Sequence, residues 1–153
     1  MITVSGSIST VLPPEQAFAF LSEFENTSTW DPGTPVVEKR SDGPAAIGHR
    51  YHAEADFRGK RQSIEYEIRE LRPGHIQLRG ENKTVIAFDS VDVAPSTSLP
   101  GGSDVTYTAE FGIKGFLKLA QPFMGPAFMS LRDPALNGLK AKLDSLAGPP
   151  AQN

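Results

Sequence analysis

RYHAEADFRGKRQSIEYEIR, residues 50–69, is the stretch on which the fold of this chain turns. Tyr51, Ala53, Ala55 and Phe57 alternate with Arg50, His52, Glu54 and Asp56; after Arg58-Gly59-Lys60, Ile64, Tyr66 and Ile68 alternate with Ser63, Glu65, Glu67 and Arg69. In an extended strand successive side chains point to opposite faces, so a period of two separates an apolar face from a charged one. The pattern predicts two antiparallel strands joined by a tight turn, one face buried and one wet. The charges of the wet face are mixed in sign, and cross-strand pairing accounts for them without invoking a site.

Moving toward the N-terminus, Val36 and Val37 form a strand closed by Ser41-Asp42-Gly43-Pro44. The turn formers of Asn26 to Gly33 leave room for a short helical turn. Before them, Pro14 suits a first helical position with Glu15 in the first turn, and Ala17, Phe18, Leu21 and Phe24 share one face of a helix ending near Glu25. Ile2, Val4 and Ile8 alternate with Thr3, Ser5, Ser7 and Ser9 as a first strand, its phase slipping before Val11.

Toward the C-terminus, Arg72-Pro73-Gly74-His75 is a turn, Ile76 and Leu78 give a short strand, and Val85 to Val93 a longer one. The inner face of 85–93 is left unassigned, because Ala87, Phe88 and Val91 are all apolar. A loop from Ala94 to Ser103 precedes a last strand with Val105, Tyr107, Ala109 and Phe111 on one side. Asp133-Pro134 reads as an N-cap and first helical residue. Leu136, Leu139, Leu143 and Leu146 recur at helical spacing, and Gly148-Pro149 stops a helix running from Pro134 to Ala147. Upstream, Phe116 to Leu131 is apolar at helical spacing, but Pro122 and Pro126 must kink or interrupt it, and two or three helical pieces are expected.

At 153 residues, a single domain over 1–148 with a tail at 149–153 is expected, large enough for a core without disulfides. Lys plus Arg number 15 against 18 Asp plus Glu, so no basic excess offsets phosphate repulsion, and nucleic acid is not an expected partner. The absence of cysteine excludes thiolate catalysis and zinc-thiolate sites. Met1 to Ser5 lack the basic start and apolar run of a signal peptide. The most apolar window, 111–131, is broken by lysines and prolines, so it is not expected to span a membrane, and cytoplasm is the default compartment.

The order of strand, short helix pair, further antiparallel strands and long final helix resembles the START-like, or Bet v 1-like, helix-grip fold. The run Pro14-Glu15-Gln16-Ala17-Phe18-Ala19-Phe20-Leu21, followed by Trp30-Asp31-Pro32, is similar to the opening of the SRPBCC superfamily and its polyketide cyclase/dehydrase-like bacterial members. The resemblance implies an α+β fold: a curved antiparallel sheet of six to seven strands wrapped around the C-terminal helix, with a deep cavity between them. It further implies an apolar ligand of the lipid, sterol or polyketide kind, handled by a carrier or a cyclase, since fold alone does not choose between them.

The expected lining is Tyr51, Phe57, Tyr66, Tyr107 and Phe111 on the strands, Phe123, Phe128 and Met129 on the final segment, and Trp30 near one end. Each of these is equally at home in an ordinary core. The phenols Tyr51, Tyr66 and Tyr107 are the candidate catalytic groups, able to polarise a ligand carbonyl. His49, His52 and His75 do not converge and no glycine-rich loop opens a helix, so neither a metal nor any other cofactor is expected. Lys114 and Lys118 beside the Pro-broken apolar segment allow a transient membrane contact during ligand delivery.

Overall fold

The computed structural model describes residues 1–148; the tail expected at 149–153 lies outside the described residues. The strands are β1 (Ile2–Thr10), β2 (Val36–Lys39), β3 (Arg50–Phe57), β4 (Lys60–Arg72), β5 (His75–Glu81), β6 (Val85–Pro95) and β7 (Ser103–Ile113). All pair antiparallel in one sheet of order β1-β7-β6-β5-β4-β3-β2. Helices α1 (Pro14–Ser22), α2 (Gln121–Met129) and α3 (Arg132–Leu146), with 3₁₀ segments Phe24–Thr29 and Gly115–Ala120, complete the chain. The helix-grip arrangement is therefore present with seven strands.

The hairpin of residues 50–69 forms as its alternation dictates: Tyr51 pairs with Tyr66, Ala53 with Ile64 and Phe57 with Lys60. Its two-residue turn places Arg58 at φ 53° and Gly59 at φ 78°, the paired left-handed geometry whose twist matches the flanking strands. A register shift between Ile68 and Glu70 marks a bulge in β4, which adds local bend to the sheet.

The first helix ends at Ser22, and Phe24 begins a 3₁₀ segment that still turns Phe24 and Thr27 inward. At the C-terminal end the helix starts earlier than its sequence suggests. Arg132 is the first helical residue, Leu131 stands at the cap without a side-chain bond, and Asp133 sits in the first turn, accepting from Arg132 Nε at 3.1 Å. A carboxylate there complements the helix dipole, and Pro134 is tolerated because the first-turn N–H groups have no intrahelical partner. The helix ends at Leu146, two residues before Gly148 at φ 77°.

Ala135, Leu139 and Leu143 of α3 are buried with Leu12, Ile68, Ile76 and Val105 in one apolar cluster. The helix approaches closely enough that a Cβ on Gly138 would lie 1.9 Å from the Trp30 carbonyl oxygen. A second, smaller cluster of Val4, Ile113 and Phe128 lies under α2. No helix among the described residues is long and apolar enough to cross a membrane.

Candidate functional site

Between the concave sheet, α2 and the start of α3 lies a cavity of about 300 Å³. Val4, Phe57, Ile64, Phe111, Met124 and Phe128 are among the residues of its apolar wall. Phe128 stacks on Phe57 and on Phe111, with centroids 4.5 Å apart in both pairs and interplanar angles of 21° and 24°. Such a wall favours an apolar guest through the surface both remove from water.

The polar part of the wall centres on Asp89. On β6, Ala87, Asp89 and Val91 are buried in alternation, which assigns the inner face of 85–93 and puts a carboxyl group in the middle of it. Tyr107 Oη donates to Asp89 Oδ2 at 3.2 Å, while no protein group donates to Oδ1. Burial pushes the carboxyl up to about 7. The Tyr107 hydrogen bond opposes the rise, the charge of Asp31 adds to it, and Tyr66 opposes it.

Tyr66 reaches Asp89 from β4 because its ring lies over Gly80 of the intervening β5. A Cβ on Gly80 would stand 2.5 Å from Tyr66 Cε1, so only glycine leaves room for the ring. Both phenols are pushed well above their ordinary value, by burial first and then by the charge of Asp89, and so remain protonated donors. Asp31 accepts from the Gly33 N–H and from Thr34 Oγ1, both at 2.9 Å, and burial raises it despite those bonds. A carboxyl group that titrates near neutrality can donate a hydrogen bond or accept one, or move a proton.

Of the residues expected to line the cavity, Phe57, Tyr66, Tyr107, Phe111 and Phe128 do so. Trp30 stands behind the wall, meeting the Tyr107 ring edge-on at 5.8 Å. Tyr51 is 0% exposed but belongs to the dense core beside Phe24, ring centroids 5.4 Å apart, and its hydroxyl has no partner. Phe123 is 84% exposed and Met129 40% exposed, and neither lines the cavity. Met124 takes the inner place instead, one turn before Phe128; a helix that turns this pair inward turns Phe123 out.

Asp31, Asp89 and Met124 were not among the expected lining residues. Asp89 had a legible signal: a lone carboxylate in register with Val85, Ala87, Val91 and Val93. His52 pairs with Glu65 at 2.5 Å, and His75 with Asp92 at 2.6 Å and Glu70 at 2.8 Å. Neither these nor His49 belongs to the cavity wall, and among the described residues no group of three or more His, Asp or Glu is arranged to hold a metal ion. Lys114 is paired with Glu81.

The family described as polyketide cyclase/dehydrase and lipid transport matches residues 1–144. No curated protein sequence matches the chain. Among solved structures, a START superfamily protein from Mycobacterium smegmatis is 11% identical with a TM-score of 0.78, covering 94% of this chain and 98% of that one. The Zhui aromatase/cyclase from Streptomyces sp. R1128 is 14% identical with a TM-score of 0.76, covering 95% and 94%. The di-domain aromatase/cyclase BexL is 18% identical with a TM-score of 0.73, covering 97% of this chain and 48% of that one. At these identities the likeness is one of fold.

Proposed function

The chain belongs to the polyketide cyclase/dehydrase and lipid transport family, and from that premise we propose that its cavity holds one apolar small molecule of the lipid, sterol or polyketide-like kind. The observation that carries this reading is an apolar chamber of about 300 Å³ with a small polar group set into its wall. That volume is at the lower end of small-molecule sites, which favours a compact ligand or one bound with part of its length outside.

Thermal unfolding with a panel of lipids, sterols and aromatic polyketide-like compounds tests the reading, because a ligand selective for the folded state at about 100 times its Kd adds roughly 2.7 kcal/mol of stability. Native mass spectrometry of the freshly purified protein, followed by extraction, identifies any compound that copurifies. No shift across the panel and no adduct would overturn the reading.

A second reading, a cyclase or dehydratase acting in the same cavity, is favoured by Asp89 and its two phenols, which could hand a proton to or from a polyketide-like substrate. It predicts that Tyr66→Phe and Tyr107→Phe lower kcat with little change in binding, whereas Tyr51→Phe leaves turnover intact. Equal turnover in all three would remove the phenols from the mechanism. Transfer at a membrane is favoured by Phe116, Leu119 and Phe123, which stand exposed on the segment that closes the cavity. Sedimentation with phosphatidylcholine vesicles tests it. Binding lost in a Phe116→Ser, Phe123→Ser variant supports it, and no binding by the wild type rejects it.

A further inference from the structure

Binding by apolar contact alone has no use for Asp89. A carboxyl group on the inner face of a strand loses its hydration, and nothing in the protein fully replaces it. The residue lines the cavity and is 8% exposed, Oδ2 accepts from Tyr107, and Oδ1 is buried with no protein donor. Buried polar atoms without partners are uncommon enough that each calls for a reason.

The surroundings are arranged for this group. Gly80 makes way for the Tyr66 ring, Tyr107 is braced by Trp30, and Asp31 is occupied by Gly33 and Thr34. The titratable groups facing Asp89 are thus Tyr66 from β4, Tyr107 from β7 and Asp31 from the loop before β2. Among the described lining residues the only cation is Arg132, whose Nε already donates to Asp133. The site therefore offers hydrogen bonds to a neutral group and repulsion to an anion.

We propose that the carboxyl group of Asp89 anchors one uncharged polar group, a ketone carbonyl or a hydroxyl, of an otherwise apolar ligand, and that the cavity rejects carboxylate ligands of the same shape. This rests on the cavity being a ligand site. A ketone can only accept, so it needs the protonated carboxyl; a hydroxyl bonds to either form. Ketone affinity should fall as pH rises through about 7, while hydroxyl affinity holds.

Equilibrium dialysis with four probes of one shape tests this: 2-methylnaphthalene, 2-acetylnaphthalene, 2-naphthol and 2-naphthoate. In an apolar cavity without an anchor, the ketone and the alcohol would bind no better than the hydrocarbon, because each loses water on entry. With the anchor, 2-acetylnaphthalene at pH 5.5 binds about tenfold tighter than 2-methylnaphthalene, and most of that gain is gone at pH 8.5. At pH 7, 2-naphthoate binds at least about tenfold more weakly than 2-naphthol.

In Asp89→Leu these preferences vanish while the hydrocarbon still binds. In Asp89→Asn the ketone gain persists at both pH values, since the amide donates regardless of pH. The wild-type comparison needs no variant, so a misfolded variant does not rescue the idea. If the hydrocarbon binds and the wild type shows no gain for ketone or alcohol, the anchor is wrong and the cavity reading stands; if none of the four binds, the anchor falls, and the cavity reading falls with it only when the thermal panel and the search for a copurifying adduct are also negative.

Discussion

One sheet is filled in two different ways along its concave face. Under α3, an uninterrupted helix of fifteen residues lays Ala135, Leu139 and Leu143 into a cluster with Leu12, Ile68 and Ile76, and all of these are buried. Under α2, nine residues long with Pro126 inside it, Phe128 is the buried side chain, and the sheet keeps its cavity. A regular helix presents a stripe of side chains every three or four residues that can fill a trough. A short one carrying a proline supplies fewer, so the chamber exists where the periodic filling stops.

The largest effect that tests this contrast is a truncation at each end. Leu143→Ala, in the filled end, should cost about 2–5 kcal/mol in urea unfolding. Phe128→Ala should cost less, because its ring already borders open space, and should admit bulkier ligands. A greater loss from Phe128→Ala would mean that the two ends are packed alike.

Next is Gly138→Ala. Helix propensity alone would favour alanine by about 1 kcal/mol. The added methyl, however, meets the Trp30 carbonyl, a backbone atom that cannot swing aside. Overpacking should win, with a net loss of about 1–3 kcal/mol. A gain in stability would show that α3 is free to slide on the sheet.

Asp89 sharpens the comparison from the cavity end. Its folded value of about 7 lies above the ordinary 3.8, so between the two the folded protein holds a proton that the unfolded chain has released. Stability therefore falls as pH rises through this window, and the loss is complete above it. Asp89→Asn removes the term and should be the more stable protein at pH 8 but not at pH 4, with a ceiling of about 4 kcal/mol on the difference. Glu81, held down at about 2 by Lys114 and Arg79, adds its own pH dependence between that value and the ordinary 4.5, the same in both proteins, and cancels. Parallel pH profiles for the two would contradict the burial of an ionising group.

The smallest effect belongs to Tyr51→Phe. The hydroxyl is buried without a partner, so its removal should change stability by no more than about 0.5 kcal/mol, with a gain as the favoured sign, and leave probe binding unaltered. A large loss would show that the hydroxyl is bonded.

The hairpin of residues 50–69 and the final helix, with Leu139 and Leu143 on its buried face, were legible because each is a periodic pattern that one element satisfies by itself, although Leu146 of the same series is 43% exposed and Ala135 is the third buried residue. The inner phase of β6 was not, since Ile86 and Phe88 on the outer face are as apolar as Val85 and Ala87 on the inner one, and the decisive residue is a carboxylate. Tyr51 and Tyr66 alternate into the same face and pair across β3 and β4, yet one is sealed in core and the other opens on the cavity. Their local patterns are alike and Phe24 packs against both rings; what differs is that only Tyr66 also borders the cavity.

The amino-acid pattern by itself determined the element order, the wet and dry faces of the first hairpin, the final helix and hence the grip of sheet on helix, because these depend on spacing within a few residues. Tertiary structure alone decided where the sheet is filled and where it is hollow. It also brought Asp31, Tyr66, Asp89 and Tyr107 together from four separate segments, and turned Met124 rather than Phe123 inward. These outcomes depend on the curvature of the sheet and the seating of α2 and α3 upon it, and no short stretch of chain encodes them.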